Sequence, residues 1–321
     1  MEYRTLGKTD IVVSEIGFGT WEAGESGWGE IIPEKVRKAM HTAYEHGITF
    51  FDTAPIYGFG KSEEFLGEVF GNNSNIIIAT KCGLTWNENH KVRKNLTYDS
   101  ILREAESSLK RLKRDHIDLY QIHWPDPNTS LDSTFKALNR LIDEKVIKAI
   151  GVSNFDIKLL KNAAALTDSL ASIQPLFNMF TRGIEKEIIP FCRKNSLSII
   201  PYSPLCQGLL TGSFDETFTL KRGSIRGGNP NFKNRERYLR NLNRIKQLKH
   251  IADNLDISLS QLAIRWILAQ PSIGSVIAGS TTPEHVVSNA AASNIKLDNN
   301  TLNKINSIID EEELRTGISF E

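Results

Sequence analysis

Four residues whose side chains could together move a proton lie at or near the ends of apolar runs. They are Asp52 and Tyr57 in FFDTAPIYG, Lys81 in NIIIATKCG and His123 in HIDLYQIHW. A phenol has a reference pKa of about 10, so a tyrosine that donates a proton at neutral pH needs a nearby cation, which Lys81 could supply. A lysine among apolar side chains needs a counter-charge such as Asp52, and His123 could hydrogen-bond a substrate oxygen. The four residues predict a proton-delivery site.

Short runs rich in β-branched residues alternate with helical patterns, as parallel strands with crossover helices require. After a hairpin over 3–13, the predicted strands are 15–20, 48–53, 76–81, 117–123, 147–152, 172–176, 197–202 and 275–279. Helical patterns cover 33–46, 99–112, 131–144, 156–165, 185–195, 258–270 and 283–292, with further helices at 236–255 and 298–314. Residues 212–235 are rich in Gly, Asn, Lys and Arg without a clear period, which predicts a long loop that could act as a lid.

Two architectures share this alternation, a closed barrel and an open doubly wound sheet. The early glycines, in GFGTWEAGESGWG, lack the GxGxxG spacing of a dinucleotide-binding open sheet. A barrel delivers the C-terminal ends of all eight strands to one face, where Asp52, Lys81 and His123 would converge. We therefore predict an α/β protein with a single domain over 1–321. This domain is a (β/α)8 TIM barrel with an N-terminal β-hairpin, a long loop after strand 7 and extra C-terminal helices.

Composition limits the classes of partner. Lys plus Arg number 39 and Asp plus Glu 38, so the formal charge of +1 provides no bulk field for nucleic acid or an anionic membrane. Three scattered cysteines argue against a disulfide framework and against Cys-based zinc sites. The first residues show no signal-peptide pattern, and no apolar stretch is long enough for a membrane span. These features predict a cytoplasmic protein with a small-molecule ligand.

Several segments, in matching order, resemble the aldo-keto reductase superfamily of nicotinamide-dependent (β/α)8-barrel oxidoreductases. They are GFGTW (17–21), FFDTAPIYGFGKSEEFLGE (50–68), ATKCG (79–83), IDLYQIHWPDP (117–127), IGVSNF (150–155), IQPLFN (173–178), PYSPLCQGLLTG (201–212) and IAGSTTPEHV (277–286). The resemblance covers nearly the whole chain. It implies that Asp52, Tyr57, Lys81 and His123 are the catalytic tetrad, with Tyr57 as the general acid in carbonyl reduction.

The resemblance also implies where a nicotinamide cofactor binds. Ser153, Asn154 and Gln174 match residues that hold the carboxamide, and Tyr202 matches the aromatic residue that stacks on the ring. The full predicted cofactor set is Gly19, Thr20, Trp21, Asp52, Ser153, Asn154, Gln174, Tyr202, Ser203, Pro204, Leu205, Gln207, Gly208, Gly279, Ser280, Thr281, His285 and Asn289. Residues 203–208 follow the pattern of the pyrophosphate-binding loop.

The choice between NADP and NAD depends on the segment after the last strand. Gly279, Ser280 and Thr281 could lie at a helix N-terminus, whose free amides favour a phosphate. Many relatives have Lys at the position of Gly279 and Arg at that of His285, two cations suited to the 2′-phosphate of NADP. A basic stretch containing Lys221, Arg222 and Arg226 could compensate. NADP is the predicted cofactor, with NAD as the alternative.

The predicted substrate wall consists of Trp21, Tyr57, Trp86, His123 and Trp124. Such aromatic walls suit a sugar or an aryl carbonyl. The resemblance implies that the reaction is reduction of an aldehyde or ketone, or the reverse oxidation. A second function is open: a nicotinamide-binding regulatory subunit resembling the β subunits of potassium channels. A metal-dependent hydrolase has little support, because the seven histidines show no HxH or HExxH spacing. We predict no metal site, and the oligomeric state stays open.

Overall fold

The computed structural model describes residues 1–24, 32–71 and 73–311. Its strands are β1 (Tyr3–Thr5), β2 (Val12–Ser14), β3 (Ile16–Gly19), β4 (Phe50–Asp52), β5 (Ile77–Cys82), β6 (Leu84–Trp86), β7 (Val92–Lys94), β8 (Ile117–Ile122), β9 (Ile147–Ser153), β10 (Leu170–Gln174), β11 (Ser198–Ile199) and β12 (Val276–Gly279). Its α-helices are α1 (Pro33–Glu45), α2 (Lys61–Phe70), α3 (Tyr98–Leu112), α4 (Leu131–Asp143), α5 (Ile157–Leu166), α6 (Ile188–Asn195), α7 (Pro230–Lys233), α8 (Arg235–Asn254), α9 (Leu259–Leu268), α10 (Pro283–Ala291) and α11 (Asn299–Ile309).

Several helices begin where a short polar side chain can accept a hydrogen bond from a free backbone amide. Ser130 caps α4, Asp156 caps α5 and Asp298 caps α11. Ser258 and Gln261 form a reciprocal capping box at the start of α9. Local sequence therefore fixes where these helices begin, and packing of their apolar faces on the sheet stabilises them.

Eight strands among the described residues form one parallel sheet in the order β11-β10-β9-β8-β5-β4-β3-β12. Backbone hydrogen bonds join its two edges. The amide of Gly274 donates to Ile199 O at 2.9 Å, and the amide of Ile277 donates to Pro201 O at 3.0 Å. The sheet is thus closed, and the predicted (β/α)8 barrel is confirmed.

The N-terminal hairpin β1–β2 covers the end of the barrel where the strands begin. Leu6, Ile11 and Val13 are buried against inward-facing side chains of the barrel strands. The Gly7 amide donates to Ser198 Oγ at 2.8 Å, and Arg4 donates to Ile273 O at 2.8 Å, both near strand starts. With this end covered, the carboxyl ends of the strands form the accessible mouth.

Several predicted features differ from the structure. Strand 197–202 is shortened to β11, because Pro201 has no amide hydrogen to continue the ladder. The segment 84–94, which none of the predicted strands or helices covers, forms the antiparallel pair β6–β7. The loop 212–235 contains a 3₁₀ turn at Ile225–Gly228 and the short helix α7, both started by polar caps. Of the predicted helix 298–314, the last residues 312–314 lie outside the described residues.

Helix α2 has no counterpart among the predicted helices, although Phe65, Leu66 and Phe70 are buried along it. Gly67 near its centre lowers helix propensity. A Cβ at this position would overlap the backbone of Arg111, so glycine allows α2 to approach the end of α3. The formation of α2 therefore depends on its close packing against α3, which the local sequence pattern does not encode.

Replacing Gly7 by alanine should lower the free energy of unfolding by about 3 kcal/mol. Gly7 has φ +59°, which costs L-residues about 1–2 kcal/mol, and a Cβ would overlap the carbonyl of Ala171. Gly223→Ala is the matched control, since Gly223 has φ +78° but nothing within 4 Å of its Cβ position. Urea unfolding of both variants isolates the steric contribution. Equal losses of unfolding free energy in the two variants would show that a Cβ at position 7 makes no steric overlap with Ala171 in β10.

Candidate active site

The four residues predicted to move a proton converge at the mouth of the barrel. Asp52 ends β4, Lys81 lies in β5 and His123 directly follows β8. Strands β4, β5 and β8 are neighbours in the sheet, so their carboxyl ends lie side by side. Tyr57 lies in the turn after β4. Parallel topology therefore brings together residues that are far apart in sequence.

Lys81 is completely buried, and its ammonium group has three hydrogen-bond acceptors. Its Nζ donates to Asp52 Oδ1 at 2.6 Å, to Thr53 O at 2.9 Å and to the Tyr57 hydroxyl at 3.2 Å. A buried ammonium with all three protons engaged is held in one orientation. Lys81 thus links the buried carboxylate to the tyrosine hydroxyl.

The second carboxylate oxygen of Asp52, Oδ2, also has hydrogen-bond partners. Asp52 Oδ2 accepts hydrogen bonds from Gln121 Nε2 at 3.0 Å and Gln174 Nε2 at 2.8 Å. Gln121 pairs with Lys81 across the β5–β8 ladder, and sequence reasoning did not single it out. The available signal was a buried-strand polar residue two positions before His123, in the strand IDLYQI. Both amides fix the carboxylate that holds Lys81.

Burial and the neighbouring charges shift the pKa values of this group in defined directions. Burial raises the pKa of Tyr57 above its ordinary value of 10.0, and the Lys81 cation opposes this rise without reversing it. Burial also disfavours the charge of Lys81, but the Asp52 carboxylate outweighs it and raises the pKa of Lys81. At neutral pH Tyr57 therefore carries its proton and Lys81 its charge. The cation limits the cost of losing the tyrosine proton but does not make the phenol acidic in the free protein.

His123 is 8% exposed, and its ring meets that of Tyr57 edge-on with 5.8 Å between centroids. Burial, followed by the Lys81 cation, lowers the pKa of His123 well below its ordinary value of 6.5. The imidazole is therefore neutral at neutral pH. Among the described residues its Nδ1 has no hydrogen-bond partner. A neutral imidazole beside a phenol suits a hydrogen-bonding role towards a polar ligand atom.

A cavity of about 750 Å³ opens at this mouth. Its wall contains every predicted cofactor residue except Asn289: Gly19, Thr20, Trp21, Asp52, Ser153, Asn154, Gln174, Tyr202, Ser203, Pro204, Leu205, Gln207, Gly208, Gly279, Ser280, Thr281 and His285. Asn289 is buried within α10. Tyr57, His123 and Trp124 also line the cavity. Trp86 does not, and instead packs against Phe59 with 5.5 Å between ring centroids.

Polar groups after β9 and β11 form a fixed array on one wall. The Tyr202 hydroxyl donates to Asn154 Oδ1 at 2.9 Å, and Asn154 Nδ2 donates to Ser153 Oγ and to His123 O, each at 3.0 Å. Asn154 adopts φ +59°, a conformation that asparagine tolerates better than most residues. The array orients amide and hydroxyl groups that a planar carboxamide could meet.

The loop after β11 contains three consecutive residues with positive φ, Cys206, Gln207 and Gly208, and is called the 206–208 loop. The amides of Cys206 and Gly208 donate within this loop, to Ser203 O and Leu205 O, each at 3.0 Å. Arg226 donates to Gln207 O at 3.0 Å, and its guanidinium lies 5.4 Å from the centre of the Phe214 ring. Gln207, Gly208 and Arg226 lie on the cavity wall, and the Arg226 guanidinium brings a positive charge there that suits an anionic ligand group.

Glu22 is an acidic residue on this wall that sequence reasoning missed. It belongs to the 3₁₀ turn Trp21–Gly24, and its carboxylate oxygens occupy the space that a side chain at Gly279 would take. Burial raises the pKa of Glu22 from 4.5 to about 7. A single glutamate in a glycine-rich segment carries no sequence signal for this position.

Neither a metal centre nor a membrane span occurs in the described ranges. No group of three His, Cys, Asp or Glu residues there could hold a metal ion. None of the described helices is both long and apolar enough to span a bilayer.

The aldo/keto reductase family model matches residues 15–310. The chain is 36% identical over 314 residues to the aldo-keto reductase YhdN of Bacillus subtilis (strain 168), covering 97% of this chain and 94% of that protein. It is 34% identical over 311 residues to the NADH-specific methylglyoxal reductase of Escherichia coli (strain K12), covering 91% and 93%. The structure of a glycerol dehydrogenase from Gluconobacter oxydans superposes with a TM-score of 0.90 at 31% identity, covering 99% of this chain and 97% of that one.

Fold and site together define a barrel oxidoreductase that depends on NAD(P). The chain belongs to the aldo/keto reductase family, as the family match and the identity to full-length relatives show. The predicted family membership and enzyme class are thereby confirmed.

Proposed function

We propose that the protein reduces an aldehyde or ketone to an alcohol, with Tyr57 as the proton donor. The observation that carries this proposal is the hydrogen-bonded series Asp52–Lys81–Tyr57, which ends at the cavity beside His123. The series connects a buried charge pair to a single hydroxyl on the wall. Such an arrangement suits the delivery of one proton to one oxygen atom.

When bound, a nicotinamide supplies the hydride, which leaves negative charge on the carbonyl oxygen. Tyr57 donates its proton to that oxygen, and Lys81 then stabilises the phenolate through the hydrogen bond already present at 3.2 Å. Neutral His123 donates a hydrogen bond to the same oxygen. Preoriented donors at a developing oxyanion are worth about 3 kcal/mol each.

The raised pKa of Tyr57 affects which direction of the reaction, carbonyl reduction or alcohol oxidation, is favoured at a given pH. A tyrosine that holds its proton at neutral pH is ready to donate, whereas alcohol oxidation requires the phenolate as acceptor. We infer that reduction predominates at neutral pH and that oxidation gains as the pH rises.

The cofactor is proposed to lie between the 206–208 loop with Arg226 and the Asn154–Tyr202 array. Ser153, Asn154 and Gln174 would hold the carboxamide, and Tyr202 would stack on the ring. Arg226 on the wall supports NADP, the predicted cofactor. NAD is the alternative because Gly279 and His285 stand where many relatives have Lys and Arg. The E. coli relative is named as NADH-specific, so both nucleotides require testing.

The proposed substrate is a small carbonyl compound, such as a sugar or an aryl aldehyde. Trp21 and Trp124 supply aromatic surface near Tyr57, and Ile56 and Leu84 supply apolar surface on the same wall. Trp86 would reach a ligand only through movement of the β6–β7 hairpin, so its substrate role remains a prediction.

The first test is a fluorescence titration of the purified protein with NADPH and NADH, followed by absorbance at the nicotinamide band. Methylglyoxal, glyceraldehyde and an aryl aldehyde serve as substrates, with glycerol for the reverse direction. We expect binding of at least one nucleotide and carbonyl-dependent oxidation of it. Tight binding without turnover on any carbonyl would favour the regulatory-subunit function, and absence of binding would refute the cofactor assignment.

A further inference from the structure

Glu22 places a titratable carboxyl group directly in the predicted path of the cofactor. Its oxygens lie against Gly279, the residue before Ser280 and Thr281, and all four residues line the same cavity as Gln207 and Gly208 of the 206–208 loop. No ion pair or hydrogen bond from another side chain to Glu22 is present among the described residues. A dinucleotide that fills this cavity places its negative charge in the same space as this carboxyl group.

The other carboxylate on the wall differs from Glu22 in its surroundings. Asp52 forms an ion pair with Lys81 at 2.6 Å and accepts two amide hydrogen bonds, so its charge is compensated. The titratable and charged groups that face the cavity with Glu22 are Tyr57, Tyr202, the Asp52–Lys81 pair, His123, Arg226 and His285. None of them forms a salt bridge with Glu22 in the structure.

We propose that Glu22 couples nicotinamide dinucleotide binding to the uptake of a proton, so that cofactor affinity falls as the pH rises through neutrality. The inference rests on the proposed cofactor site. Negative charge brought near a carboxylate disfavours its ionised form, and a protonated Glu22 can instead donate a hydrogen bond to a phosphate oxygen.

The sign follows from the protonation state in the free protein. Burial already holds the pKa of Glu22 at about 7, and a bound diphosphate raises it further. Binding is therefore strongest at pH 6, where Glu22 is protonated before the cofactor arrives. Binding weakens at pH 8.5, where Glu22 is ionised in the free protein. There, Glu22 must take up a proton on binding, or its carboxylate must remain close to the negatively charged dinucleotide. A rise of one pKa unit on binding corresponds to about tenfold in affinity.

The experiment measures the dissociation constant of NADH at pH 6, 7 and 8.5 for the wild type and Glu22→Gln. NADH is used because the 2′-phosphate of NADPH itself titrates near pH 6. We expect the wild type to bind about tenfold more weakly at pH 8.5 than at pH 6, and the variant to change by less than twofold. Calorimetry in buffers of different ionisation enthalpy should detect proton uptake by the wild type that the variant lacks.

Two control variants separate Glu22 from other groups. His285→Gln removes the histidine on the same wall and should retain most of the pH dependence. Glu88→Gln changes an exposed carboxyl outside the cavity wall and should behave as the wild type. An unchanged pH slope in Glu22→Gln, or weaker NADH binding by that variant at every pH, overturns the inference alone. No binding of NADH or NADPH by the wild type overturns the proposed cofactor site as well.

Discussion

Replacing Tyr57 by phenylalanine is expected to lower kcat for carbonyl reduction by about 10²–10⁴-fold, the usual contribution of a positioned general acid. The variant keeps the ring that packs edge-on against His123 but removes the hydroxyl that lies 3.2 Å from Lys81 Nζ. Because the hydroxyl acts on the substrate oxygen, the dissociation constant of the nicotinamide nucleotide should change by less than threefold. Steady-state turnover and fluorescence titration on the same preparation provide both values.

Tyr98→Phe is the matched control for that experiment. Tyr98 starts α3 outside the cavity wall, and its hydroxyl accepts a hydrogen bond from Arg140 at 3.2 Å. Loss of the Tyr98 hydroxyl should leave kcat unchanged. Full turnover by Tyr57→Phe would exclude Tyr57 as the proton donor, whereas equal losses in both variants would point to a general effect on folding.

Replacing Lys81 by methionine is expected to reduce both stability and turnover. The change leaves Asp52 buried without its cation, and breaking a buried ion pair in this way typically costs about 3–5 kcal/mol of folding free energy. It also removes the hydrogen bond that would stabilise the Tyr57 phenolate, so kcat should fall by at least about 10²-fold. Urea unfolding and steady-state kinetics measure the two effects separately.

The double variant Asp52→Asn, Lys81→Met distinguishes a structural role of Lys81 from a catalytic one. The asparagine carries no charge that needs compensation, and its amide oxygen can still accept from Gln121 and Gln174, so most of the lost stability should return. Turnover should remain low, because Tyr57 still has no cation beside it. If turnover recovers together with stability, Lys81 only supports the fold.

The sequence predicted the scaffold because its signals are local. The eight barrel strands follow from short β-branched runs, and parallel topology then places Asp52, Lys81 and His123 at one mouth. The errors also have local causes. Gly67 weakens the pattern of α2, and the exposed residues of β7 give the 84–94 hairpin no buried face to reveal it.

The side-chain partners within the site required the tertiary structure. Gln121 and Gln174 reach Asp52 across 69 and 122 positions of sequence, contacts that exist only because the barrel closes. The direction of the Tyr57 pKa likewise depends on how deeply the phenol is buried relative to its distance from Lys81. The sequence shows that Tyr57 and Lys81 are present, but it does not show how far burial of the phenol outweighs the effect of the lysine cation.

By itself the sequence predicted the barrel and the four residues expected to move a proton, since periodicity and residue type at strand ends are properties of short segments. The resemblance of its motifs indicated the family. Only the tertiary structure decided that a network of amides fixes Asp52, that His123 is neutral and that Glu22 lies over Gly279. These features depend on distances and desolvation between segments remote in the chain. A linear pattern does not specify either quantity.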